Sequence, residues 1–178
     1  MKMIKIKESP RQAEKLSQQL RLGSGGFLTE RRAIVGLSLI AVAQMWLITL
    51  YQVGIIKHLP NPPLPHLNSD KVDASAEAYE KCEMPDAILA IGNYTVTMGL
   101  AAMGGKDRVK QQPWIPLLLA AKVGFDTFQA VRLYVNQLTR QKALCPYCIV
   151  AALSTVISTP LVIPEASAAL RALSGKRT

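Results

Sequence analysis

The chain has 178 residues, a length that suits one domain. Its formal charge of +9 could serve nucleic acid, but the basic residues flank apolar stretches and no aromatic-plus-basic surface accompanies them, so nucleic-acid binding is set aside. Hydrophobic residues make up 49% of the chain and gather in blocks, and three cysteines are too few for a disulfide framework.

Residues 1–32 read as a basic cytoplasmic tail. Within it Ser9-Pro10-Arg11-Gln12 has the form of a capping box with proline at the first helical position. A short surface helix is expected to about Leu22, stopped by Gly23 and the Gly25-Gly26 pair. The first apolar block begins at Ala33 and is too long for the core of a cleavable signal peptide, so none is expected. From Ala33 to Ile56 no residue is charged. At ~1.5 Å per residue that stretch reaches roughly 36 Å, enough for the ~30 Å hydrocarbon layer, and it is the first expected span.

Lys57 to Met84 differs in kind. Pro60, Pro62, Pro63 and Pro65 forbid regular helix, and Asp70, Asp73, Glu77, Glu80 and Glu83 make the rest acidic. An extramembrane loop is expected here, with a helical turn near Ser75–Lys81 and one cysteine, Cys82. A second span is expected over 85–105 and a third over 114–138. The third carries Lys122, Asp126 and Arg132, each costly in lipid. Lys122, Asp126, Gln129 and Asn136 nevertheless share one helical face, which suits a polar stripe turned toward other helices with Lys122 and Asp126 paired. A helix lying on the membrane surface is the alternative. The last span is expected over 145–163, with Pro160 as a point of kinking, and a cytoplasmic tail over 169–178.

The fold expected is therefore all-α: an integral membrane four-helix bundle with an extramembrane loop after its first helix. The lysine and arginine bias places the N-terminus, the Lys106–Lys110 loop and the C-terminal tail in the cytoplasm. The acidic loop and the start of the last helix then share the opposite face, periplasmic or lumenal, where disulfide chemistry is permitted.

That helix start carries Cys145-Pro146-Tyr147-Cys148, a spacing that lets two thiols close a reversible disulfide. The chemistry needs a thiolate, which the unpaired N–H groups of a helix start favour, and Arg140 and Lys142 just upstream add cationic character. The motif alone leaves alternatives open. A zinc site needs further ligands, for which His58, His66 and Cys82 are candidates. Two inert buried cysteines are another. The same four residues form the active site of glutaredoxins, but those are soluble proteins with the motif early in the chain.

In its four spans, its long first loop and a Cys-x-x-Cys opening the fourth span, the chain resembles the vitamin K epoxide reductase family over about residues 33–168. The stretches 64–72, 84–87 and 101–108 carry a likeness to a short bacterial-type branch. The resemblance implies a membrane thiol–quinone oxidoreductase of the bacterial inner membrane, with a ubiquinone-, menaquinone- or phylloquinone-type quinone and a thioredoxin-like thiol partner. Cys148 would pass electrons to the quinone, and Cys145 would exchange with another thiol. Only Cys82 stands where the family has a loop pair, so Cys82 acts as a single mobile thiol or takes no part. Asp86 and Tyr147 are the candidates for quinone contact. Asp86 replaces the family's asparagine, either donating to a quinone carbonyl when protonated or capping the second span. The family's tyrosine one turn past the second cysteine is replaced by Ala152. Two other classes stay open: a metal-binding or sensing protein using Cys82, Cys145 and Cys148, and a non-catalytic membrane subunit of the same fold.

Overall fold

A computed structural model describes residues 10–80 and 83–175. Those residues are helical apart from loops and one isolated backbone bridge, Leu67 with Leu144. The first helix, α1, covers Pro10–Leu22 and has no buried residue, in keeping with the expected surface helix; Ser9 lies outside the described residues. Arg32 closes its end by donating to the carbonyls of Leu20 and Gly23 at 2.7 and 2.9 Å.

Four long helices follow: α2 (Leu28–Gln52), then, after the short α3 (Ser69–Asp73) and a 3-10 turn (Ala76–Tyr79), α4 (Asp86–Ala102). Beyond the one-turn α5 (Arg108–Gln111) come α6 (Trp114–Asn136) and α7 (Pro146–Ser174). α2 packs against α4 and α7, α6 packs against α7, and α4 meets α6 less extensively.

Large apolar residues lie on the outside of the long helices as well as between them. On α2 the buried positions are Leu28, Arg31, Ile34, Ser38, Ala41, Met45, Ile48 and Gln52, one face at three- and four-residue steps. Its outward residues include Leu39, Ile40 and Trp46, all exposed. α7 buries Ala151, Ser154, Thr155, Ser158, Val162, Glu165 and Ala169, while Leu153, Ile157 and Ile163 face outward. α7 thus turns mainly small and polar groups inward and large apolar groups outward, a pattern that suits helices packed in lipid, whereas α2 buries large apolar groups as well. α2 and α7 are long and apolar enough to cross a bilayer; α4 is shorter, at 17 residues, and α6 carries Lys122, Asp126 and Arg132.

The boundaries shift from the sequence expectations for local reasons. α2 starts at Leu28 rather than Ala33 because Arg31 is buried and satisfied: it donates to carbonyls of Ala101 and Gly104 at 2.7 and 2.8 Å. It ends at Gln52 rather than Ile56, where Gly54 takes φ 79 and the amides of Ile55 and Ile56 turn back to the Leu50 carbonyl. α7 runs through Pro160 and Pro164 to Ser174, well past residue 163 and into the expected tail, because Glu165 is held inside by Arg108. Arg108, which falls in the short basic loop expected over Lys106–Lys110, is 1% exposed.

These contacts also set which ends meet. The start of α2, the end of α4 and the Glu165 region of α7 gather at one end. At the other end lie Gln52, the start of α4, α3 and the start of α7. α6 runs between them, from Trp114 beside α5 to Asn136, which donates to Glu77 of the 3-10 turn at 2.7 Å.

Candidate active site

After α6 a π-helical turn (Gln137–Gln141) and Lys142, at φ 49, swing the chain into a short extended segment. There Leu144 donates to the His66 carbonyl at 2.8 Å and accepts from the Asn68 amide at 3.0 Å. This pairing draws the proline-rich loop over the start of α7. The loop is held again at Tyr147, whose hydroxyl donates to the Pro60 carbonyl.

Cys145 is the N-cap of α7, with Pro146 as first helical residue, where its missing N–H leaves nothing unsatisfied. The Cys145 Sγ accepts from the Cys148 amide at 3.3 Å, doing for this helix what a serine or aspartate oxygen does elsewhere. The Cys145 amide donates to Gln137 Oε1 at 3.1 Å. Cys145 is fully buried; Cys148, one turn on, is half-buried and unpaired with it by a disulfide.

Facing the two sulfurs is α3. Asn68 caps it, accepting from the Lys71 amide at 2.9 Å, and the resulting turn puts Ser69 and Asp73 on one inward face. Ser69 is buried beside the Cys145 sulfur and donates to Asn61 Oδ1 at 2.6 Å. Asp73, 4% exposed, accepts from the Cys148 thiol through Oδ1 at 3.5 Å. The Asp73 oxygen and the two sulfurs lie within 4.8 Å of one another. Burial above all, and then the neighbouring Cys145, push the Asp73 carboxyl up to about 9.

Gln52, at the end of α2, ties the site together. Its Nε2 donates to the Asp73 carbonyl at 3.1 Å and to Asp86 Oδ1 at 2.8 Å, while its Oε1 accepts from the Ala87 amide at 3.3 Å. One buried amide thus fixes α2, α3 and the start of α4.

Cys148 and Asp73 open onto a cavity of about 460 Å³ between the helices. Ile48, Leu89, Phe125 and Ala152 give it apolar wall, and its polar groups include Asp86, Tyr94 and Thr155 beside Glu77, Gln129 and Arg132. Tyr94 bridges α4 to α7, with its hydroxyl 3.2 Å from the Ala151 carbonyl and 3.1 Å from Thr155 Oγ1. On the α6 side Asn93 donates to Asp126 Oδ1 at 3.1 Å, and Asp126 is paired with Lys122, as the polar stripe suggested. A cavity of this size, with apolar wall beside many polar and charged side chains, is large enough for a small molecule.

The candidate residues separate accordingly. Cys145 and Cys148 come together, and Asp86 lines the cavity. Pro85 occupies the cap position of α4 and Asp86 is its first helical residue, with Oδ1 accepting from Gln52 Nε2 at 2.8 Å. Tyr147 borders a separate outer recess with Gln44, Pro60 and Pro62. Cys82 lies outside the described residues. Arg140 and Lys142 are exposed, so the ionisable side chain touching Cys148 is an acid rather than a cation. His58 sits on the surface against Asp70 at 2.9 Å. Asp73, Ser69 and Gln52 were not singled out from the sequence. The only signal there is an asparagine cap followed by inward positions one helical turn apart.

An all-helical chain with a close dithiol in the wall of a cavity between its helices has the composition of a thiol redox protein. Residues 32–163 match the model of the vitamin K epoxide reductase family, and the chain belongs to that family. Its members are membrane-associated oxidoreductases. Comparison with individual curated proteins gives no match.

Proposed function

We propose that this chain is a membrane thiol–quinone oxidoreductase in which the Cys145/Cys148 dithiol is oxidised to a disulfide as a quinone is reduced. The observation that carries the reading is the placement of Cys148 in the wall of the 460 Å³ cavity while Cys145 is shut away beneath the loop. All four long helices span the membrane in this reading, with the dithiol on the periplasmic or lumenal face of a bacterial inner membrane. The outward apolar residues and the lysine and arginine bias support that orientation.

The quinone, as oxidising substrate, takes two electrons and two protons. The cavity has room for a ring of that kind: apolar walls hold its faces, and Tyr94, Thr155 and a protonated Asp86 are the groups that would donate to its oxygens. Menaquinone, ubiquinone and phylloquinone types all satisfy these features. Tyr147 acts outside the cavity by holding the loop. Cys145 receives electrons from a thioredoxin-like partner dithiol, which requires the segment 66–68 to lift from Leu144; Cys82 is a candidate to relay that exchange.

The metal-binding alternative finds three donor side chains together among the described residues, and neither histidine is one of them. Purified protein, reduced and freed of reductant, is expected to bleach an added quinone, and Cys148→Ser to abolish this. Full quinone reduction by Cys148→Ser would sink the scheme. Inactivity of wild type with both motif thiols free would move the reading to a metal-binding protein or a non-catalytic subunit.

A further inference from the structure

The acid beside the thiols is unexplained by packing. Asp73 is buried, and no salt bridge among the described residues involves it. Its Oδ2 has no hydrogen-bond partner among those residues. A carboxyl buried in this way costs stability, so its value to the protein lies elsewhere. Its other oxygen meets the sulfur that faces the cavity, at 3.5 Å, and Asp73 itself lines that cavity.

We propose that Asp73 is a catalytic residue of the dithiol reaction: it takes the proton of the Cys148 thiol and passes it on as the quinone is reduced. The inference rests on the thiol–quinone reading above. In balance, starting from the carboxylate form of Asp73, the Cys148 S–H bond breaks and a carboxyl O–H bond forms on Asp73. The electron pair released as the Cys145–Cys148 S–S bond closes goes to the quinone. The Asp73 proton and the Cys145 S–H proton become the two quinol O–H protons. Asp73 returns to the carboxylate, and two thiols plus quinone have become disulfide plus quinol.

Two features support the assignment. Asp73 is placed by three separate constraints: the Asn68 cap, the Gln52 amide on its carbonyl, and the pairing of Leu144 with the loop. The burial that holds the carboxyl up to about 9 also makes its carboxylate a stronger base than that of an ordinary aspartate, as the removal of a thiol proton requires. The titratable groups facing it are Cys145 and Cys148 from α7, Asp86 from α4, Tyr51 from α2 and Tyr79 from the 3-10 turn.

Asp73→Asn keeps the size of the side chain and removes its proton chemistry. Quinone reduction by the prereduced variant is expected to slow by about 10² or more, with the half-saturating quinone concentration within about threefold of wild type. Asp73→Glu is expected to recover part of the rate. The second readout uses no quinone: the pH profile of Cys148 alkylation by a small maleimide, measured in Cys145→Ser with and without Asp73→Asn. Its midpoint is expected to move by about one pH unit or more when Asp73 is replaced. A rate within threefold of wild type, or an unmoved alkylation midpoint, overturns the assignment. If wild type itself reduces no quinone, the thiol–quinone reading falls, and the alkylation profile still decides whether Asp73 shares a proton with Cys148.

Discussion

Replacing Glu165 with alanine should destabilise the end of the molecule remote from the dithiol. Glu165, 3% exposed on α7, accepts from Arg108 Nε at 2.6 Å and from its Nη2 as well. Arg108 directs Nη1 to the carbonyls of Leu100 and Met103, both at 2.7 Å. Together with Arg31, which reaches the carbonyls from Ala101 to Gly105, it satisfies the orphan carbonyls at the end of α4. Without the carboxylate, a guanidinium stays buried with Nε and Nη2 unmatched. Removing one partner of such a pair costs about 3–5 kcal/mol. At about 2–4 °C per kcal/mol for a chain of this length, the midpoint of thermal unfolding should fall by about 6–20 °C. Helicity followed against temperature in detergent measures this. The double replacement Arg108→Met with Glu165→Leu should recover much of the loss, since no buried charge is then left alone. A Glu165→Ala midpoint within about 2 °C of wild type would refute the reasoning.

Stability should also carry the signature of Asp73. A carboxyl whose folded pKa is raised binds its proton more tightly folded than unfolded. Its contribution is therefore fully present below the unfolded value, near roughly 4, and is lost as pH rises toward about 9. Thermal midpoints measured across that window should fall less steeply in Asp73→Asn than in wild type, and the variant should be the more stable above neutrality; parallel curves would contradict the burial argument. Gln52→Leu leaves the Ala87 amide, the Asp73 carbonyl and Asp86 without the bonds that join three helices. It should lower stability by about 2–4 kcal/mol, reckoned as unsatisfied buried groups, and reduce quinone turnover per folded molecule. Denaturant unfolding beside the quinone assay tests both, and unchanged values in each would show that Gln52 does not organise the site.

Much of this protein is local and therefore legible along the chain. A helix is set by neighbours three and four residues apart, so the four long apolar stretches, the surface helix from Pro10 and the Lys122–Asp126 pair follow from spacing alone. The same holds for a dithiol at a helix start, where Pro146 follows the capping cysteine. What spacing does not encode is which distant segments meet. Arg31 finds the Ala101 carbonyl 70 residues away and Arg108 finds Glu165 57 residues away, so charges that read as surface features became buried caps. Asp73 looked like one acid among several in a loop. It reaches Cys148, 75 residues on, only because the loop pairs with Leu144 and Gln52 holds α3 in place. The chain order determines that the protein has a dithiol at the start of its last long apolar helix; the long-range hydrogen bonds, which depend on the whole path of the backbone, decide that an acid stands next to it.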